Sequence, residues 1–195
     1  MPVSITKGAL TDAVVNQMVR RAFGRDALEM EELKEGYFNI AYRIGLEDRQ
    51  VVLKIAPPGE VPVMTYEKNI MFSEVDSMRM IAERTKVPVP KILFFDDSCE
   101  IADREYFFME MLRGQSLSGL QEGLSESQRQ DFGYALGSYT RELNRIQGEK
   151  LGYYGQADRQ GDNWYEVFRS MILDAYADAA TATAKEWNRT MPKRQ

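Results

Sequence analysis

The sequence predicts an α+β fold in which a sheet-rich part, residues 1–112, is joined by a linker at 113–123 to a helical part, residues 124–195. Two observations support this prediction. In the first part, short runs of β-branched and aromatic residues are bounded by glycine, proline and acidic turns, which is typical of strands. In the second part, apolar residues recur at helical spacing over long segments.

Within the sheet-rich part, the sequence predicts a leading helix, five strands and one further helix. Thr11 can cap the leading helix, which ends at Gly24. Strands are expected at 28–35, 38–46, 50–56, 91–96 and 106–111, and the second helix at about 66–84. We expect the first three strands to pair as antiparallel hairpins. The Val-Pro-Val-Pro segment at 87–90 forces an extended path after the second helix.

Within the helical part, the sequence predicts two long helices separated by a polar loop at 148–162. Ser125 and Gln128 have the spacing of a capping box, so the first of these helices begins there. Its apolar stripe consists of Phe132, Ala135, Leu136, Tyr139, Leu143 and Ile146. The last helix is expected from about Trp164 to Trp187.

Composition excludes several classes of function. The 25 basic and 30 acidic residues give a net charge of −5, which does not favour nucleic acid as a partner. No segment approaches the ~20 apolar residues of a membrane span, and no secretory signal is visible at the N-terminus. The lone Cys99 has no partner for an internal disulfide, so we expect a cytoplasmic protein without a membrane partner.

Histidine is absent from the sequence. This removes the commonest general base, the commonest metal ligand and every Ser-His-Asp or Cys-His scheme. Because there is also only one cysteine, a zinc site is not expected.

Lys54 and Glu74 form the most informative pair of residues. Strand alternation places Lys54 on one face with Val52, and a lone strand lysine ordinarily reaches water. Glu74 lies inside an apolar stripe formed by Met71, Met78 and Ile81. A carboxylate on a buried face is costly unless it is paired, and Lys54 is the natural partner. The alternative is a glutamate at the edge of the stripe whose carboxylate reaches solvent.

Two further segments fit a nucleotide site. The hairpin at 36–42 contains one glycine, Gly36, and its backbone N–H groups could cap phosphates, although the segment by itself favours an ordinary hairpin. The aromatic strand at 106–111 runs into a break at 112–114, where freed backbone groups could bond a flat heterocycle. A plain buried strand is the alternative there.

The order of these segments resembles the N-terminal part of the aminoglycoside phosphotransferase family, relatives of protein kinases. The order is a glycine hairpin, a strand lysine, a helix glutamate, Val-Pro-Val-Pro and an aromatic strand ending in Met-Glu-Met-Leu-Arg-Gly. The similarity extends from about Leu33 to Asp178. It implies a protein-kinase-like small lobe at 1–112, a hinge at 113–123 and the first helices of an incomplete helical lobe at 124–195.

The resemblance also implies functional roles. Lys54 would hold the α- and β-phosphates of ATP or GTP bound with Mg²⁺, and Glu74 would orient Lys54. The hairpin would fold over the phosphates, and the backbone at 109–112 would contact the base. The γ-phosphate would pass to a hydroxyl of a small molecule such as an aminoglycoside. The implied nucleotide-binding residues are Gly36, Tyr37, Asn39, Val52, Lys54, Glu74, Met109, Glu110, Met111 and Leu112.

The residues that would perform the transfer are not identifiable in the sequence. The family takes them from a His-Gly-Asp-x-x-x-x-Asn loop and a later aspartate. Three segments imitate parts of that machinery, and we expect all of them to be structural: Asp131-Phe132-Gly133, Gln160-Gly161-Asp162, and Asp158 with Asn163. Asp174 and Asp178 are expected on the solvated face of the last helix.

Three hypotheses follow from the sequence. The first is a truncated phosphotransferase that retains the nucleotide clamp, lacks identifiable catalytic and metal residues, and is inactive alone. The second is a non-catalytic nucleotide-binding or protein-interaction module, in which an exposed half-core promotes self-association. The third is an unrelated α+β domain whose lysine and glutamate are ordinary surface residues.

Overall fold

A computed structural model describes residues 10–33, 38–120 and 123–190. Its helices are α1 Asp12–Phe23, α2 Ile70–Arg84, α3 Leu117–Leu120, α4 Glu126–Leu143 and α5 Trp164–Thr190. Its strands are β1 Glu29–Leu33, β2 Ile40–Gly45, β3 Gln50–Ile55, β4 Ile92–Asp96, β5 Tyr106–Glu110, β6 Leu151–Gly152 and β7 Gln160–Gly161. In the described part of the chain, no helix is long and apolar enough to cross a membrane.

Five antiparallel strands form the main sheet in the order β1-β2-β3-β5-β4. The α+β class and the five-stranded antiparallel sheet predicted from the sequence are therefore confirmed. The order places β5, the last of these five strands in the sequence, between β3 and β4. As a result, β3 is a central strand with hydrogen-bonded neighbours on both sides.

Contacts divide the chain into two compact units. The first unit comprises residues 1–61 and 74–147, and the second comprises 62–73 and 148–195. In the first unit, α1 packs on one face of the sheet, where Val15, Met18 and Val19 are buried. The predicted lobe boundary at 113–123 stays a prediction, because these units group the residues differently.

Polar contacts connect the two segments of the second unit to each other. The backbone N–H and hydroxyl of Thr65 donate to the Asp178 carboxylate at 2.7 and 3.0 Å. The buried Gln156 side-chain amide donates to the Thr65 and Lys68 carbonyls at 2.8 and 3.2 Å. Gly152, at φ 130°, pairs with Gln160 in the short β6-β7 hairpin. These bonds connect the 62–73 segment to residues 148–178.

One expectation about an element boundary was wrong. The second helix begins at Ile70, not near Tyr66, because Thr65–Glu67 forms a 3₁₀ turn and Asn69 adopts a left-handed φ of 55°. The capping box of α4 is present, with the Gln128 N–H donating to the Ser125 hydroxyl at 3.3 Å. However, no residue of α4 is buried, so its apolar stripe is not covered by other described residues.

Candidate functional site

Strand β3 separates a packed face from a more open one. Val51, Leu53 and Ile55 are fully buried in the core beneath α1. Lys54 lies on the opposite face, where its side chain is 22% exposed. The alternation predicted from the sequence is confirmed, and it directs the lysine away from the core.

The neighbouring strands place specific residues beside this lysine. Lys54 lies opposite Ala41 of β2 and opposite Phe107 of β5. Two pairs further along, Val52 lies opposite Met109. Directly opposed residues of antiparallel strands share a face. The sheet therefore brings together Val52, Lys54 and Met109, three of the predicted site residues.

Glu74 of α2 completes an ion pair with Lys54. The Lys54 Nζ donates a hydrogen bond to Glu74 Oε1, as the sequence predicted. The two side chains are 22% and 26% exposed, so the pair is only partly screened by water. A pair of this kind contributes about 1 kcal/mol or less to stability at the exposed limit. Its main effect is to fix the position of a long, flexible cation.

A buried aromatic ring provides a second contact to the lysine. The Lys54 Nζ lies 5.7 Å from the centroid of the Phe107 ring, within the range of a cation–π interaction. Phe107 is fully buried. Sequence analysis placed Phe107 in the aromatic strand but not in the site. The signal that identifies it is the register between β3 and β5.

The predicted phosphate-covering hairpin is described only in part. Gly36 and Tyr37 lie outside the described residues. Asn39, just before β2, has a buried side-chain oxygen without a hydrogen-bond partner in the described part of the chain. A buried polar atom of this kind is satisfied at low cost by a ligand or water. Asn39 thus has a hydrogen-bonding group to offer at the start of the strand beside Lys54.

The predicted base-binding segment begins where β5 ends. The Glu110 backbone N–H donates to the Lys91 carbonyl at 3.0 Å, and the Glu110 carboxylate accepts from the Lys91 N–H at 3.2 Å. Glu110 therefore holds the β4 edge. Met111 and Leu112 follow beyond the ladder, and the Leu112 side chain is 53% exposed. The contact of these residues with a base stays a prediction.

The segments that imitate catalytic motifs have structural surroundings. Asp131, Phe132 and Gly133 lie within α4 and are exposed. The Asp162 carboxylate accepts from Lys150 Nζ at 2.7 and 2.8 Å. The Asn163 side chain accepts from the first N–H groups of α5, at 3.0 Å from Tyr165. Asn163 is thus a helix cap, as its position before α5 favours.

The expectation that Asp174 and Asp178 form a solvated face was wrong. Asp174 is 13% exposed and forms an ion pair with Arg159 at 3.0 Å. Asp178 accepts two hydrogen bonds from Thr65. Burial, with Asp174 and Asp178 nearby, raises the pKa of the Tyr153 phenol. The sequence gives no sign of these contacts, because the partners of Asp178 lie far from it along the chain. A carboxylate of this kind has the same sequence pattern as a solvent-exposed one.

The side chains around Lys54 differ in the ligand groups that they suit. The Lys54 ammonium is held in place by Glu74 and suits an anion, whereas the unpartnered Asn39 Oδ1 is a hydrogen-bond acceptor and suits a donor. In contrast, the described residues contain no group of three or more acidic, cysteine or histidine side chains that could hold a metal ion. A magnesium site is therefore not assigned to them.

Comparison with protein families identifies one match. The model of the family described as "Phosphotransferase enzyme family" matches residues 29–195. That span covers the whole sheet, α2 and the helical part. No curated protein matches the sequence.

Several solved structures are similar over part of the chain. A provisionally assigned fructosamine-3-kinase from Haemophilus somnus is 19% identical over 79% of this chain and 49% of its own, with a TM-score of 0.49. A provisionally assigned aminoglycoside phosphotransferase from Ralstonia eutropha is 18% identical over 53% and 28%, with a TM-score of 0.40. A thermostable mutant of aminoglycoside phosphotransferase APH(4)-Ia, in complex with AMP-PNP and hygromycin B, is 18% identical over 56% and 32%, with a TM-score of 0.39. The chain thus spans less than half the length of these structures.

Proposed function

The chain belongs to the phosphotransferase enzyme family, and from that membership we propose that its sheet-rich part binds ATP or GTP for transfer of the γ-phosphate to a small-molecule hydroxyl. The observation that supports this most directly is the Lys54–Glu74 ion pair on the open face of β3. A lysine ammonium is a compact positive charge that suits phosphate oxygens. When bound, the nucleotide supplies the phosphoryl group that is transferred.

We assign separate tasks to the residues around the pair. Lys54 contacts the α- and β-phosphates, and Glu74 keeps its ammonium from turning into solvent. Asn39, together with Gly36 and Tyr37 from outside the described residues, contacts the phosphates. Val52 and the 109–112 segment, with Met109, Glu110, Met111 and Leu112, contact the base. This assignment uses each of the predicted site residues in the role that the resemblance implied.

We assign the described residues to binding and not to the transfer step. Phosphoryl transfer needs a carboxylate that positions the acceptor hydroxyl, and ligands for Mg²⁺. The described residues contain no cluster that could hold the cation. A His-Gly-Asp loop of the family's kind is not within the sequence, which has no histidine. The acceptor, whether an aminoglycoside or another alcohol, is therefore not specified by these residues.

We expect nucleotide to raise the melting temperature of the protein, in the order ATP and ADP well above AMP. ATP and ADP present the β-phosphate to Lys54, whereas AMP lacks it. Thermal shift with each nucleotide at millimolar concentration, with and without Mg²⁺, measures this. Equal shifts with AMP and ATP would contradict the phosphate role of Lys54. No shift with any nucleotide would contradict the proposed nucleotide binding.

A second candidate function is protein interaction, and the surface of α4 favours it. Its Phe132, Tyr134 and Leu136 side chains are 46%, 81% and 67% exposed. Large exposed apolar patches often mark interaction sites. We expect self-association that increases with concentration in sedimentation velocity and weakens in Leu136→Glu. A wild-type protein that stays monomeric up to roughly millimolar concentration, where even weak contacts form, would contradict this candidate.

A further inference from the structure

We propose that Phe107 is a positioning residue for Lys54, and that its ring holds the lysine ammonium in the orientation that binds phosphate. This inference rests on the proposed nucleotide function. The proposal adds Phe107 to the site. It also explains how the lysine is held, because the ammonium has contacts on two sides. Glu74 contacts the ammonium from α2, and Phe107 contacts it from the sheet.

The register of the sheet places the ring at the lysine. Phe107 is the residue of β5 directly opposite Lys54. Directly opposed side chains on one face have Cβ atoms roughly 5 Å apart, close enough for an aromatic ring and a lysine stem to pack. The ammonium lies 5.7 Å from the ring centroid. The contact is therefore built by the backbone pairing and does not depend on a flexible loop.

The burial of both partners strengthens the contact. Phe107 is fully buried, and only 22% of the Lys54 side chain is exposed. The attraction between a cation and a ring face increases when water is excluded from both. A lysine has many rotamers to lose on binding phosphate, and a contact that restricts them beforehand improves affinity. The ring thus contributes by preorganising the cation.

The adjacent phenylalanine provides a matched control. Phe108 is also fully buried on the same strand, but it belongs to the core cluster beneath α1. Its ring lies 4.9 Å from that of Phe23 in an edge-to-face contact. The two rings therefore differ in one relevant respect, namely that only Phe107 faces the ammonium.

The test replaces Phe107 with mono-, di- and trifluorophenylalanine, which withdraw electron density from the ring face with little change in shape. We expect the Kd for ADP to rise with each fluorine and to reach a roughly three- to twenty-fold increase for the trifluoro ring, the range of a partly desolvated cation–π contact. The same series at Phe108 should leave the Kd unchanged. A flat series at Phe107, or equal slopes at both positions, would overturn the proposal.

A second measurement separates this inference from the proposed function. In the nucleotide-free protein, we expect the ε-methylene protons of Lys54 to resonate upfield, because they lie near the Phe107 ring face. Phe107→Leu should move them downfield, and Phe108→Leu should not. If the wild-type protein binds no nucleotide, the proposed function fails. The proton shifts then still decide whether the ring holds the lysine, and unshifted protons would overturn that claim.

Discussion

Lys54→Ala abolishes the rise in melting temperature that MgATP or MgGTP gives to the wild-type protein. At 100 times the Kd, a ligand stabilises the folded state by about 2.7 kcal/mol. For a chain of this size, that corresponds to a rise of roughly 5–10 °C. Removing the ammonium also leaves the Glu74 carboxylate without its cation, so the variant repels phosphate. Thermal shift and calorimetric titration with both nucleotides check the result.

Lys150→Ala is the control for this experiment. Lys150 is half exposed, is paired with Asp162, and is not among the predicted nucleotide-binding residues. Its removal makes the net charge of −5 more negative by the same one unit, so any loss caused by charge alone appears in both variants. A nucleotide response that persists in Lys54→Ala, or disappears equally in Lys150→Ala, would show that Lys54 is not the phosphate contact.

Phe108→Ala lowers the free energy of unfolding by about 3–5 kcal/mol, the range for truncating a buried phenylalanine. Phe108 is fully buried, and its ring packs edge-on against both Phe23 and Tyr106. The truncation leaves a cavity between α1 and the sheet that the surrounding strands cannot close. Urea denaturation followed by circular dichroism measures the loss.

Phe132→Ala is the matched control, because it removes the same atoms from α4. Phe132 is 46% exposed, so its truncation should cost much less, on the order of 1 kcal/mol. The difference between the two losses of unfolding free energy tests whether Phe108 lies in the core and Phe132 outside it. Equal losses at the two positions would mean that the α4 stripe is buried in solution, for example by self-association.

Local signals predicted much of the fold correctly. The glycine that ends α1 and the capping box that begins α4 are short-range features, and both are present as expected. The start of α2 was missed because Asn69 adopts a left-handed backbone conformation that its neighbours in the sequence do not require. Element boundaries depend on such single residues, whereas the existence of an element depends on a pattern of many.

The Lys54–Glu74 pair was predictable because a carboxylate on a buried face costs free energy in any fold unless a cation pairs with it. Glu74 stands among apolar residues at helical spacing, and a lysine on the preceding strand can reach it. The polar contacts of Asp178 were not predictable by this reasoning. Its partner Thr65 lies 113 residues away, and no rule of periodicity connects the two.

The sequence by itself determined the order of the five sheet strands and the long helices, the alternation of side chains along β3, and Lys54 as the natural partner of Glu74. Only the tertiary structure decided that β5 lies beside β3, and therefore that the ring at the lysine is Phe107 and not Phe108. The physical reason is that alternation and helical spacing are properties of one element. The pairing of strands that are distant in sequence depends on the free energy of the whole sheet.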